Sequence, residues 1–283
     1  MYTKLEYIAA NGAILDLLND EMFDLVDADG LTVANATIAT TTTPTVDGDT
    51  INNIQANPRG IILDLRVKNY IDVELCKRHI LNVVKHKQTA TLRYTQGTGT
   101  DERIIVISGV IESISLPRFS NDCTIQISMY CSNSYWEDLN AIVVEISRII
   151  PAHHFEICFP LGAPIPLGVI DRTMTKTYYN DGDVNTGMTI TIIATGSATN
   201  PTIYNSRGEF IGLNDSLVVG DKVVITTSKG QKTITKNGVA VLNKIKAGST
   251  FLQMETGENV FTIDADTGDE YVYFNITFKR KFI

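Results

Sequence analysis

Histidine, cysteine and paired acids are the side chains from which a chain of this kind would build a reactive centre, and here they are few and poorly spaced. Only four histidines occur, His79, His86, His153 and His154. His79 and His86 share one helical stretch, where they read as a polar face and a C-terminal cation. Adjacent His153 and His154 on an extended segment point to opposite sides, and no acid or thiol stands where it would complete a metal site. Cys76, Cys123, Cys131 and Cys158 lack Cys-x-x-Cys spacing and read as reduced, packed thiols. Asp181 and Asp183 flank a glycine in a turn, where solvation accounts for both. The run from Asp264 to Asp269 has the flavour of a calcium loop, but it has no Gly at its sixth position and no Glu at its twelfth. The glycine-rich turn from Gln96 to Thr100 leads into a strand and carries no lysine, so it is no phosphate cradle. No serine sits in a nucleophile elbow. The expectation is a protein without catalytic residues, cofactor or metal.

Composition narrows the class further. With 43% hydrophobic and 20% charged residues, the chain has ample material for a core. Its 283 residues exceed the roughly 100 to 200 of one domain, which favours two. A net charge of −8 offers no footprint for a phosphate backbone, and Lys279-Arg280-Lys281 reads as a charged strand end. No apolar run approaches the roughly 20 residues of a membrane helix. Met1 to Glu6 lacks the basic-then-apolar pattern of a secretory signal, so folding in a cytoplasm is expected.

The elements that must position these residues are mostly strands. Ile14 to Leu17, Phe23 to Val26 and Leu31 to Ile38 are short apolar runs cut by Asn, Asp and Gly. Thr40 to Asn57 has little to bury and predicts a long loop or extended arm, a feature that more often serves a partner than a core. Ile61, Leu63, Leu65 and Val67 alternate with Ile62, Asp64, Arg66 and Lys68 as a half-buried strand. Asp72 to Lys87 predicts a helix, with Val73, Cys76 and Ile80 at helical spacing and Asn69 or Asp72 as the cap. Strands follow over Ala90 to Tyr94, Arg103 to Val110 and Thr124 to Tyr130. After Trp136, the only tryptophan, Leu139, Ile142, Val143, Ile146 and Ile150 fall at helical spacing although several are β-branched, and a short helix is expected there.

Pro151, Pro160, Pro164 and Pro166 mark a crossing between domains. The chain is accordingly divided into an amino-terminal domain over 1–150, a linker over 151–170 and a second domain over 171–283. That second domain is written as an all-β sandwich. Its hairpin signals are Lys229-Gly230 and Asn237-Gly238, and its closing strand carries Val272, Phe274, Ile276 and Phe278 on one face.

The order of these turn-and-strand words across nearly the whole length resembles the distal tail proteins of tailed bacteriophages. The first half carries Ala10-Asn11-Gly12, Asp29-Gly30-Leu31-Thr32, Asp47-Gly48-Asp49, Asn57-Pro58-Arg59, Leu92-Arg93-Tyr94-Thr95 and Cys131 to Trp136. The second carries Asn180 to Asp183, Asn200-Pro201, Ile203-Tyr204-Asn205, Gly208 to Ile211, Gly248 to Leu252 and Gly257-Glu258-Asn259. The resemblance implies a mostly β protein: an N-terminal β-sandwich with one α-helix and an extended hairpin arm, then a C-terminal galectin-like β-sandwich. It implies a homohexameric ring at the virion tail tip, assembled in the host cytoplasm. That ring joins the tail tube protein to tail-tip and receptor-binding proteins. Thr43, Asp47 and Asp49 on the arm, with Arg59 and Arg66 on the strand beyond it, are the candidate oligomer interface. The alternative is a carbohydrate-binding adhesion module. The second domain contains neither Trp nor His, the residues with which galectins hold sugars; Tyr178, Tyr179 and Tyr204 could stack on a sugar, but core or rim packing is the expectation for them.

Overall fold

The computed structural model describes residues 3–43, 47–68, 71–97, 102–116, 123–146, 148–151, 168–171 and 174–283. The chain is mostly β and divides into two compact units, one of 1–139 together with Phe282 and Ile283, the other of 140–281. His153, His154 and Cys158 lie outside the described residues.

In the first unit the strands are β1 (Thr3–Ala9), β2 (Ile14–Asp16), β3 (Phe23–Asp29), β4 (Ala36–Thr42), β5 (Asp49–Ala56) and β6 (Arg59–Val67), then α1 (Val73–Val83). β7 (Thr89–Gln96), β8 (Arg103–Ser115), β9 (Thr124–Cys131) and β10 (Trp136–Asp138) complete it. One nine-stranded sheet runs β2-β1-β7-β8-β9-β6-β3, with β10 beside β8 and a strand from the far end of the chain beside β10. Every second residue of its strands points inward: Leu5 and Tyr7, Leu92, Ile107, Ile125 and Ile127, Leu63 and Leu65 all fall in one buried cluster. Cys76 and Ile80 of α1 belong to the same buried cluster, so one sheet and the helix share this unit's core. A register shift between Ile111 and Ser113 on long β8 lets its second half pair with β9, while its first half pairs with β10.

α1 starts where expected, since Asp72 accepts hydrogen bonds from the Glu74 and Leu75 amides. It ends at Val83, earlier than the periodicity predicts. Val84 is extended and buried in the core, and Lys87 turns the chain at φ +61°. The core side chain of Val84 therefore outweighs the helical preference of Lys85 to Lys87. On the opposite face of the sheet, Glu6 is buried between Lys4 and its cross-strand neighbour Arg93, each 2.6 Å away. The hydrogen bond from Arg93 holds its carboxyl below the usual carboxylate range.

The second unit begins with a correction. Residues 142–146, expected to be helical, form strand β11 (Ile142–Ile146), paired along its length with a strand from the end of the chain. Its β-branched residues alternate, with Val144 and Ile146 buried, and sheet pairing wins over helical spacing. β12 (Arg148–Pro151) and β13 (Gly168–Asp171) pair antiparallel around 152–167, so the ends of the expected linker are joined to each other. The division between units falls after Leu139, ahead of that linker.

The remaining strands are β14 (Thr175–Asn180), β15 (Met188–Ala194), β16 (Ala198–Thr199), β17 (Thr202–Asn205), β18 (Phe210–Gly212), β19 (Ser216–Leu217), β20 (Lys222–Thr226), β21 (Thr233–Lys236), β22 (Val239–Ala240), β23 (Gly257–Asp264), β24 (Val272–Phe278) and β25 (Lys281–Phe282). Five of them join β11 in the sheet β11-β24-β15-β20-β21-β22, and four form β14-β23-β17-β18. Ile190, Phe274 and Ile276 from one sheet share a buried cluster with Ile203, Phe261 and Ile263 from the other, which makes a two-layer sandwich. Asn237 and Gly238 take positive φ values of 51° and 81°, the mirror-image turn expected between β21 and β22. The Asn237 side chain accepts from the Lys222 amide and donates to Asp221.

Phe282 is buried in the first unit, and the Arg103 guanidinium lies 4.3 Å from its ring centre. Phe282→Ala is expected to cost that unit about 3 kcal/mol. Trp136, the chain's only tryptophan and buried in the same core, reports its unfolding separately in a denaturant titration.

In the second unit, Asp221 accepts from the Val218 amide, Asn237 and Lys236, and its carboxyl is drawn down to about 2. The folded value lies below the ordinary 3.8, so this stabilisation is complete above that pH and is lost as pH falls towards 2. Asp221→Asn should flatten the acid limb of this unit's melting temperature between pH 4 and pH 2.

Candidate functional site

The site least explained by folding is the hairpin β4–β5. Its strands pair from Ala36↔Ala56 to Thr42↔Asp49, and nearly every residue in them is exposed. Threonine and isoleucine favour extended backbone, which lets the ladder form without a core beneath it. Pairing places Ile38 opposite Ile54 and, past a register shift, Thr40 opposite Ile51. Ala36, Ile38, Ile54 and Ala56 therefore share one face, while Thr37, Gln55 and Asn53 with Ala39 share the other. Ile38, Ile51 and Ile54 are 54%, 58% and 62% exposed. An isolated two-stranded hairpin is marginal in water, so something must hold its root.

That anchor is Arg59, the first residue of β6, only 2% exposed. Its Nη1 donates to the carbonyls of Gly30 and Leu31, each at 3.1 Å, and to that of Thr32. Its Nε and Nη2 both donate to the Ser134 carbonyl, at 3.1 and 2.8 Å. Ser134 Oγ donates to the Asn57 carbonyl at 2.7 Å, and Trp136 Nε1 donates to Leu31 O at 3.2 Å. Thr37 Oγ1 donates to Asn57 Oδ1, and the Asn57 amide to Asn35 O. One guanidinium thus fastens both legs of the arm to the turn before β10. Among the described residues no carboxylate lies within ion-pair distance of it. Burial lowers the pKa of its guanidinium from the ordinary arginine value, and the neighbouring Cys131 thiol is pushed up to about 11 by its own burial.

Gly30 completes the root. It sits at φ +78°, and a Cβ there would lie 2.0 Å from the Gly60 carbonyl oxygen. Only glycine fits both the left-handed backbone and the close approach.

The five candidate residues fall into three places. Thr43, Asp47 and Asp49 gather at the exposed arm tip, where Asp49 accepts from Thr42 Oγ1 at 2.8 Å. Arg66 is exposed near the other end of β6, opposite Asp24 on β3 and Thr124 on β9. Arg59 and Arg66 are seven residues apart, about 23 Å along a strand, and point to opposite faces. They do not form one site. Sequence reading also misses Ser134, Trp136 and Gly30 as members of the root. Their motifs are visible, but contacts spanning 29 to 105 residues leave no spacing to read.

In the second unit, the Tyr178 ring meets Phe278 edge-on at 5.2 Å and the Tyr204 ring meets Phe210 at 5.6 Å. Both serve packing. Tyr179 alone is widely exposed, at 67%. Asp181 pairs with Arg280 at 2.5 Å, and Asp266 accepts from Asn200 at 2.7 Å, so both acidic turns are tied within the chain. Among the described residues no group of three or more His, Cys, Asp or Glu is placed to hold a metal ion.

Residues 181–282 match the family model of the siphovirus-type tail component, C-terminal domain. The second unit is thus similar over most of its length to that tail component's C-terminal domain. Among solved structures, the Dit protein of phage SPP1 aligns over the full length of both chains, at 15% identity and a TM-score of 0.64. That protein is described as a paradigm of the hub of the adsorption apparatus in phages infecting Gram-positive bacteria. At this identity the likeness shows the fold of a distal tail protein. Chains of the phage P2 baseplate in its activated conformation with Ca align over the full length of both at 12% identity and a TM-score of 0.46. No curated protein matches by sequence.

Gly30→Ala should cost about 2 kcal/mol or more, from left-handed strain plus the clash. Trp136 emission measures the loss, and proteolysis within 33–57 should quicken in the folded variant.

Proposed function

We propose that the chain is a structural hub of a phage tail tip. Six copies would close into a ring through their first units. The ring would join the tail tube to tail-tip and receptor-binding proteins at the virion tip, after assembly in the host cytoplasm. The observation that carries this reading is the arm: an ordered hairpin with an apolar face turned to solvent, anchored at its root, in a chain of distal tail protein fold. A single copy gains nothing from exposing Ile38, Ile51 and Ile54, whereas a neighbour's surface can bury them. One patch meeting a different patch on the next copy is the heterologous contact that closes rings. The tip residues Thr43, Asp47 and Asp49, and Arg66 on β6, are the polar rim of this interface in the proposal. Arg59 belongs beneath it.

A lectin reading of the second unit is less favoured, since two of its three candidate tyrosines are committed to internal ring contacts. The group inventory favours a structural role over catalysis.

Native mass spectrometry and particle imaging of the purified chain should show closed six-copy rings. Ile38→Ser with Ile54→Ser, both exposed, should leave the fold intact and raise the concentration of half-dissociation at least ten-fold. A chain that stays monomeric at high concentration, even with tail proteins present, would overturn the hub reading.

A further inference from the structure

We propose that Arg59 is a positioning residue for ring assembly: it does not touch the next copy, but fixes the angle at which the arm is presented to it. The inference rests on the ring reading above and deepens it. Arg59 is enclosed, so no neighbour can reach its guanidinium. Its five donor contacts end on four carbonyls from two separate places, Gly30 to Thr32 on the arm's incoming leg and Ser134 before β10. Ser134 in turn holds Asn57 on the outgoing leg. A buried cation without a carboxylate is a poor way to stabilise a core, and an apolar side chain of similar volume commonly does as well. What the guanidinium supplies instead is a planar fork whose directions are fixed by the carbonyls it meets.

Association costs less when the bound geometry already exists in the free copy. The arm has almost no buried residues of its own, so its direction depends on its root. Loosening that root leaves the arm's apolar face chemically intact and spreads it over many orientations.

The test uses Arg59→Lys, which keeps the charge and loses the fork, and Ser134→Ala, which removes only the hydroxyl link to Asn57. Ser134→Ala also stands in if Arg59→Lys does not fold. Each is compared with wild type in three readouts: Trp136 unfolding, hydrogen exchange at 36–42 and 49–56, and the concentration of half-dissociation of the ring. Folded variants should exchange faster in the arm, with β1 and β7 unchanged, and should assemble at least ten-fold more weakly.

The variants are then combined with Ile38→Ser and Ile54→Ser. If Arg59 acts through the arm, the combined loss is no larger than that of the arm variant alone; independent losses would add. Rings as stable as wild type, additive losses, or unchanged arm exchange would each overturn the proposal. If wild type itself forms no ring, the hub reading fails, and arm exchange in the monomer still decides whether Arg59 anchors it.

Discussion

A guanidinium taken out of water must find acceptors for its donors, because each unmet group in a low-dielectric interior costs several kcal/mol. The first unit meets this demand for Arg59 with backbone carbonyls alone. Those carbonyls belong to segments far apart in sequence, so the requirement works in reverse: satisfying Arg59 forces the chain near residue 31, the chain near residue 57 and the turn at Ser134 to one point. Trp136 repeats the pattern, since its ring enters the core only if Nε1 finds an acceptor, which is Leu31 O. Two large side chains with fixed polar needs therefore place the arm.

The arm could not place itself. Its strands have the right local chemistry, with Thr and Ile in paired register, but each residue gains little from burial. Its order is set by hydrogen bonds at its base. Gly30 shows how tightly that base is packed, since a single added carbon would collide with the neighbouring strand's backbone. A device that is rigid at its root and bare along its length is suited to a contact made later with another molecule.

Much of this was legible in the sequence wherever the determining contact is local. The Ile61 to Val67 alternation, the Asp72 cap and the Asn237-Gly238 turn follow from period and turn chemistry, and they appear where expected. The Thr-rich stretch reads as an arm because it has nothing to bury. Legibility fails where distant residues decide. Residues 142–146 carry helical spacing and strand-forming side chains at once, and only the partner strand β24, more than a hundred residues on, resolves the choice. Arg59 reads from sequence as an interface candidate, because nothing near it in sequence announces the carbonyls that enclose it.

The second unit reaches order by a different route. Its sheets are held at their edges by short-range polar clasps: Asp221 gathers Val218, Lys236 and Asn237, and Asn205 orders the Arg207 to Glu209 turn. The Asn205 clasp joins turn residues a few positions apart, whereas Asp221 reaches Asn237 across the 16 residues of one hairpin. The first unit depends instead on a few long-range anchors at the root of its arm. The residues then most informative about the first unit's use are the buried polar ones that a hydrophobic core alone would not require.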